Sequence, residues 1–267
     1  MSAALPGGWI LGAVRLAVVV ALNVIPIWGF TQDEWSAGTT LALYWVQSLV
    51  SIPITAVLIV MHRRATHKAG HYNGVTTISV DGGPPLQRRS TFLSGFLLLA
   101  IPFTLAHGVF LAVLLGLIWR NAAGAVNPED LRLGVQAMMG ILAVGFAADV
   151  FLLADRPFAW IRRRAETLMQ RTLVVHMAIL IGMAVAAFAS DDAAAFFRVF
   201  LVLKLLVDVG AEFPQWNPKE PPAWLARMMN RIGGPGSDFS ADWKKMGTDE
   251  RAGHEADERR VDPTSAR

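Results

Sequence analysis

The sequence contains no cysteine among its 267 residues, and only 17% of them are charged. The absence of cysteine excludes disulfides, thiolate metal sites, cysteine nucleophiles and S-palmitoyl anchors. Soluble domains carry about 25% charged residues, whereas here hydrophobic residues make up 54% of the chain and mean hydropathy is +0.42. The hydrophobic residues form long blocks. This pattern excludes a soluble enzyme, a coiled coil or a mainly disordered chain, disfavours a β-barrel, and predicts an all-α integral membrane protein.

Six stretches are apolar over the roughly 20 residues that a membrane-spanning helix needs. They cover residues 8–30, 39–61, 92–119, 133–154, 172–190 and 193–213. We therefore predict a six-transmembrane-helix bundle over residues 1–213. A segment at 214–235 and a tail at 236–267 differ from it in composition.

The basic residues of the loops predict the orientation, because cytoplasmic loops of membrane proteins are rich in lysine and arginine. The loops after the second and fourth spans are basic, at Arg63, Arg64, Lys68, Arg88, Arg89, Arg156, Arg162, Arg163, Arg164 and Arg171. The loops after the first and fifth spans contain acidic residues and no basic ones. We expect both termini to be cytoplasmic, in the inner (plasma) membrane of a bacterium. The net charge of +3 then reflects topology, and we expect no nucleic-acid partner.

Three segments outside the spans have their own patterns. A turn cluster at 81–85 between β-prone segments predicts a hairpin in the loop after span two. Residues 157–171 carry an apolar face with Ile161 and Leu168, which suits a helix lying in the membrane interface. Residues 214–235 also predict an interfacial amphipathic helix, with packing against the bundle as an equal alternative. The tail at 236–267 is charged and balanced in sign, which predicts disorder.

Polar residues inside the predicted spans are the candidate functional residues, since a charge in the bilayer centre costs about 2.5–3.5 kcal/mol. By depth they form two groups. The candidate polar intramembrane cluster lies toward the cytoplasm and comprises His176, Lys204, Asp208 and Asp149. A second polar layer lies in the outer half and comprises Asn23, Gln47 and His107. The first group could handle protons or bind a ligand, or its members could serve as structural pairs between helices.

Motifs for specific chemistry are missing from the sequence. There is no HExxH, no Gly-x-Ser-x-Gly and no P-loop. His62, His67 and His71 are spaced five and four apart on a basic loop, where a solvated loop is favoured over a metal site. We expect no metal and no cofactor.

Several motifs resemble a family of prokaryotic multi-pass membrane proteins of unknown function. They are Asn23-Val24-Ile25-Pro26-Ile27-Trp28-Gly29, Tyr44-Trp45-Val46-Gln47, His107-Gly108-Val109-Phe110, Leu173-Val174-Val175-His176, and Leu203-Lys204 with Asp208. The similarity runs from about residue 20 to residue 212. It implies a six-helix bundle in which His176, Lys204 and Asp208 are a linked set, and it implies no activity. The family usually has an acidic residue where Gln47 stands.

Three functions remain open. A small transporter or channel-like protein is preferred, with His107, His176, Lys204 and Asp208 lining a polar path in a homo-oligomer. An intramembrane enzyme that acts on a lipid or a quinone is the first alternative, with His176 as its acid and base. A non-catalytic membrane scaffold is the second. In each case the lipid bilayer is a partner, and the small-molecule ligand is not specified by the sequence.

Overall fold

The computed structural model describes residues 8–32, 35–78, 86–117, 125–151, 153–188, 193–213, 218, 220–234 and 238–262. These residues form eight α-helices: α1 (Gly8–Thr31), α2 (Ala37–Thr66), α3 (Phe92–Leu117), α4 (Pro128–Phe151), α5 (Phe158–Phe188), α6 (Ala193–Gly210), α7 (Ala223–Gly233) and α8 (Phe239–Glu258). Short 3-10 helices occupy Ala69–His71 and Leu153–Asp155. Strands β1 (Gly74–Ile78) and β2 (Leu86–Ser90) pair antiparallel, with Thr76 opposite Arg88.

Helix α2 is the centre of the bundle and contacts α1, α3, α4 and α5. It begins after Ser36, whose hydroxyl accepts a hydrogen bond from the N–H of Thr39 at 2.9 Å, which satisfies one of the unpaired donors of the first turn. It ends at Thr66 and is followed by His67, whose backbone adopts the left-handed conformation. Helix α6 closes the bundle by packing against α1 and α5.

Many large apolar side chains lie on the outer surface of the bundle, whereas several polar side chains are buried inside it. Large apolar side chains of α1, α3, α4 and α6 are exposed, among them Leu98, Val109 and Val144, while Asn23 and Lys204 are buried. Among the described residues, four helices are long and apolar enough to cross a membrane: Gly12–Thr31, Ala37–Thr66, Phe92–Val113 and Pro128–Phe151. Lipid is the solvent in which exposed apolar helix faces are stable, so these features indicate a membrane protein.

Residues 157–171 were predicted to form a helix in the membrane interface, but in the structure they belong to the bundle. They form the first half of α5, which runs without a break for 31 residues, or about 46 Å. Ile161 and Leu168 are buried in a cluster with Ile52, Leu58 and Phe96. Their apolar face is therefore covered by α2 and α3, a partner that periodicity alone cannot identify.

The hairpin and the C-terminal region can be compared with their predictions in part. β1 and β2 confirm the hairpin, while the turn cluster at 81–85 lies outside the described residues. Residues 223–233 are helical as predicted, and Trp224 and Ile232 remain exposed on α7. This exposure argues against packing on the bundle, and the interfacial position stays a prediction.

The prediction of disorder over 236–267 is wrong for α8. The side chain of Asp238 accepts hydrogen bonds from the N–H groups of Ser240 and Ala241 and so caps the helix. Glu258 at the end of α8 pairs with Lys68. Two acids at the end of α8, Asp257 and Glu258, are therefore partners of Arg162 and Lys68.

Candidate functional site

Lys204, Asp208 and Asn23 form a buried polar triad between α6 and α1. Lys204 Nζ donates to Asp208 Oδ2 at 2.7 Å and to Asn23 Oδ1 at 3.1 Å. Asn23 Nδ2 donates to the same Asp208 oxygen at 2.9 Å. The Nζ atom also lies 4.2 Å from the centre of the Tyr44 ring, a cation–π contact. All four side chains are buried, so the ammonium and the carboxylate are held by protein groups alone.

Ion pairs extend the triad across α5 to α4. Arg171 places Nε 3.5 Å from Asp208 Oδ1 and Nη2 2.9 Å from Glu212 Oε1. Arg164 places Nη1 3.9 Å from the same Glu212 oxygen and Nη2 2.9 Å from Asp149 Oδ2. Asp149 on α4 is thereby connected to Asp208 on α6 through two arginines of α5.

Arg15 on α1 completes this network. Its Nε lies 3.4 Å from Asp149 Oδ1 and its Nη2 lies 3.8 Å from Glu212 Oε2. We call the charged network the set of Arg15, Asp149, Arg164, Arg171, Lys204, Asp208 and Glu212. It holds four basic and three acidic side chains, so one positive charge is left over when all are ionised. Because burial makes an uncompensated charge costly, this surplus distinguishes the network from a neutral structural cluster.

Helical spacing places these side chains together. Lys204, Asp208 and Glu212 are four apart, so they follow one face of α6 into the turn after it. Arg164 and Arg171 are seven apart, two turns along one face of α5. The two faces meet because α5 and α6 are antiparallel neighbours joined by a short connection.

A cavity of about 50 Å³ adjoins the charged network between α1, α2, α4 and α5. Its charged lining consists of Arg15, Arg164 and Arg171, each about one-fifth exposed. Its neutral polar lining consists of Gln47, Ser51, Thr55 and Thr167. Within the described part of the chain, the wall contains no acidic side chain.

The cavity owes its shape to close helix packing at Gly145. A Cβ atom at this glycine would lie 3.1 Å from Val18 Cγ1, so the missing side chain lets α1 and α4 approach each other. Toward the other end of the bundle, Leu22, Leu43 and Met138 form a buried apolar cluster. This cluster separates the cavity from the loop that joins α1 to α2.

His107 and His176 form a separate pair between α3 and α5. Their Nδ1 atoms are 2.9 Å apart, so one ring donates to the other. The ring of Phe110 packs on His176 with centroids 4.8 Å apart. The Nε2 atom of His107 is buried without a hydrogen-bond partner. A buried polar atom of this kind is a candidate for a bound water or ligand.

A second histidine pair lies where α2 meets the loop after it. His62 Nδ1 is 2.7 Å from His71 Nε2, and His62 Nε2 is 3.0 Å from the carbonyl oxygen of Arg156. Since a carbonyl only accepts, His62 carries its proton on Nε2, and His71 donates from its own Nε2. Burial, followed by nearby His62, Arg63 and Lys68, lowers the pKa of His71 to about 3.

The structure regroups the residues that the sequence singled out. Asn23 bonds to Lys204 and Asp208 and not within an outer layer, and Gln47 lines the cavity beside the arginines. His176 pairs with His107. Depth along each span predicted two layers, but the direction in which each side chain points decides its partners.

Four residues of the charged network were missed: Arg15, Arg164, Arg171 and Glu212. Arg164 and Arg171 were interpreted as markers of topology, because they fall in the basic segment after the fourth span, and Arg15 was not considered as a site residue. The spacing of Glu212, four residues after Asp208, is the signal that could have identified it.

Comparison with known proteins agrees with the resemblance noted in the sequence. The model of a family of unknown function (DUF6498) matches residues 12–223, which is most of the chain. The chain therefore belongs to that family. No curated protein and no solved structure matches it.

Proposed function

We propose that this member of a family of unknown function is a small membrane transporter whose solute enters the cavity beside the charged network. The observation that carries the proposal is the cavity itself. Its wall combines three partly exposed arginines with four neutral polar and several apolar side chains, and a buried apolar cluster lies on one side of it. A carrier in one of its two states presents its cavity to one face of the membrane only, and the apolar cluster is proposed to close the other face.

The transporter is proposed to span the plasma membrane of a bacterium six times, through α1 to α6, with both termini cytoplasmic. The basic loops after α2 and α4 support this orientation. Arg15, Arg164 and Arg171 lie toward the same end of the bundle as Arg63 and Arg64, so the cavity would open to the cytoplasm. A homo-oligomer is proposed because six helices enclose little volume.

Labelling of single cysteines tests the topology, and the natural absence of cysteine gives a clean background. Gln32→Cys lies just after α1 and Ala252→Cys lies in α8. A membrane-impermeant maleimide added to right-side-out vesicles should label the first and not the second. Labelling of Ala252→Cys in sealed vesicles of this orientation would overturn the proposed topology.

Charge movement in proteoliposomes tests the transport proposal. Full-length protein on a solid-supported membrane is exposed to concentration jumps of phosphate, acetate and glutamate. We expect a current with at least one of these anions, and we expect Arg164→Gln, which removes a positive charge from the cavity wall, to reduce it while the exposed Arg198→Gln does not. Currents equal to those of protein-free liposomes for all three anions would contradict the proposal.

A further inference from the structure

We propose that the cavity between α1, α2, α4 and α5 binds a phosphate group. The inference rests on the proposed function only in that the phosphate would belong to the transported solute, and the binding itself stands on the cavity. Two sources could supply the group: a phosphate ion from the aqueous phase, or the headgroup of an anionic phospholipid in the adjacent leaflet.

The positive charge of the cavity wall would favour an anion. Arg15, Arg164 and Arg171 line the wall, and their acidic partners Asp149, Asp208 and Glu212 are not among the lining residues. The charged network also carries one more basic than acidic side chain. An anion in the cavity would compensate that charge in surroundings of low dielectric, where an unpaired charge is expensive.

Two arginines of the wall have donors to spare. The Nε atoms of Arg15 and Arg171 are buried and make no hydrogen bond, although carboxylate oxygens lie 3.4 and 3.5 Å away. A guanidinium presents its N–H groups in a fixed fork that matches the oxygens of phosphate. Because these Nε atoms are buried, a ligand oxygen in the cavity would be bound through the Nη groups of the arginines that line it.

The neutral lining favours phosphate over carboxylate. Thr55 and Thr167 contribute hydroxyl groups and Gln47 contributes an amide, while the Ser51 hydroxyl already donates to the carbonyl oxygen of Gln47 at 2.7 Å. A tetrahedral group offers three or four acceptor oxygens to donors that converge from several helices, whereas a planar carboxylate offers two. A water needs about 10–15 Å³ of such space, so the cavity of about 50 Å³ accommodates one compact group and no larger part of a ligand.

Thermal unfolding of the full chain in detergent tests binding of the free ion. Inorganic phosphate is titrated at constant ionic strength against chloride, and wild-type protein should show a saturable rise in Tm. Arg164→Gln should weaken the apparent affinity at least tenfold. Thr167→Val removes one donor without changing the charge and should weaken the apparent affinity severalfold. It is the second variant if Arg164→Gln fails to fold. Arg198→Gln, an exposed arginine of α6, is the matched control and should bind as wild type.

Native mass spectrometry tests the lipid source. Protein is released from nanodiscs that contain phosphatidic acid and phosphatidylcholine in equal amounts. Retention of phosphatidic acid by wild type and Arg198→Gln, but not by Arg164→Gln or Thr167→Val, would assign the site to a headgroup. A phosphate-dependent Tm without lipid retention would assign it to the free ion, and either result supports the inference.

The inference is overturned if neither probe binds, or if Arg164→Gln, Thr167→Val and Arg198→Gln respond alike. Its failure is distinguishable from failure of the transport proposal. Saturable phosphate binding without charge movement would refute the transport proposal and support the phosphate site. Charge movement with acetate or glutamate and no phosphate binding would do the reverse.

Discussion

Lys204 Nζ lies 3.1 Å from Asn23 Oδ1, although 181 residues separate the two along the chain. Both side chains donate to the same oxygen of Asp208. The first helix of the bundle is thereby joined to α6 by polar bonds in a buried layer, where unpaired polar groups are costly. The stability of the bundle should therefore depend on this triad more than on any exposed ion pair.

Asp208→Asn should destabilise the protein strongly. The substitution leaves Lys204 and Arg171 without the carboxylate that both contact, and breaking a buried pair typically costs about 3–5 kcal/mol. Glu129→Gln is the control, because that carboxylate is 77% exposed and an exposed pair contributes about 0–1 kcal/mol. Denaturant unfolding in detergent measures both variants. Equal stabilities would show that the triad is solvated and not buried.

Gly108→Ala should destabilise the contact between α3 and α2. A Cβ atom at this position would lie 2.6 Å from the Trp45 ring, and displacing the ring would break the bond from Trp45 Nε1 to the carbonyl of Thr104. Overpacking of this kind costs about 1–3 kcal/mol. Gly116→Ala on the same helix meets open space, and should be neutral or slightly stabilising. The Tm values of the two variants test this prediction. A lower Tm in Gly116→Ala alone would refute the close contact at Gly108.

The free energy of unfolding should decrease as the pH is lowered, because of His71. Its pKa is about 3 in the folded protein, since burial, His62, Arg63 and Lys68 all lower it, whereas an unfolded histidine titrates near 6.5. His71 makes its full contribution to the free energy of unfolding above about pH 6.5. At lower pH the unfolded chain gains a proton that the folded chain does not, so this contribution decreases, by about 1–2 kcal/mol between pH 7 and pH 5. Unfolding curves over this range measure the slope. His71→Gln should flatten it, and an unchanged slope would assign the effect to other groups.

Glu258→Gln should release the end of α8 from the loop after α2. The carboxylate pairs with Lys68 and accepts the N–H of Ala159 at 3.1 Å. Burial alone would raise the pKa of Glu258, but these contacts lower it below its usual value. Hydrogen exchange should become faster in α8 and in Ala69–His71. Glu255→Gln, exposed on the same helix, should leave exchange unchanged, and identical exchange in both variants would contradict the docking.

The bundle helices follow from sequence because long apolar blocks have one stable form in lipid. The blocks at 8–30, 39–61, 92–119 and 133–154 predict α1 to α4 to within about five residues, and the largest differences are that α2 continues to Thr66 and that α4 begins at Pro128. The packing of the first half of α5 inside the bundle and the helical structure of α8 were not predicted. Their structures depend on partners distant in sequence, such as Ile52 for Ile161 and Lys68 for Glu258.

The candidate site was predictable in its residue types and not in its pairing. The cost of a charge in lipid identifies Lys204, Asp208 and Asp149 from sequence. Asn23 and His176 were assigned to the wrong neighbours, because depth is readable from position in a span while rotation about the helix axis is not. Arg15 and Arg171 lie near span ends, where arginines usually reach the interface, so nothing local marked them as cavity residues.

The rate of thiol modification at Ser51→Cys shows whether the cavity is positive and to which side of the membrane it opens, because Ser51 lines the cavity and the chain has no natural cysteine. Anionic sulfonatoethyl and cationic trimethylammonioethyl methanethiosulfonate are compared, each normalised to its rate with a free thiol. A cavity that is positive and open to the cytoplasm predicts modification only in inside-out vesicles, about tenfold faster for the anionic reagent. Arg164→Gln should reduce this ratio. Equal normalised rates, modification from the opposite face, or no modification from either face would contradict the account.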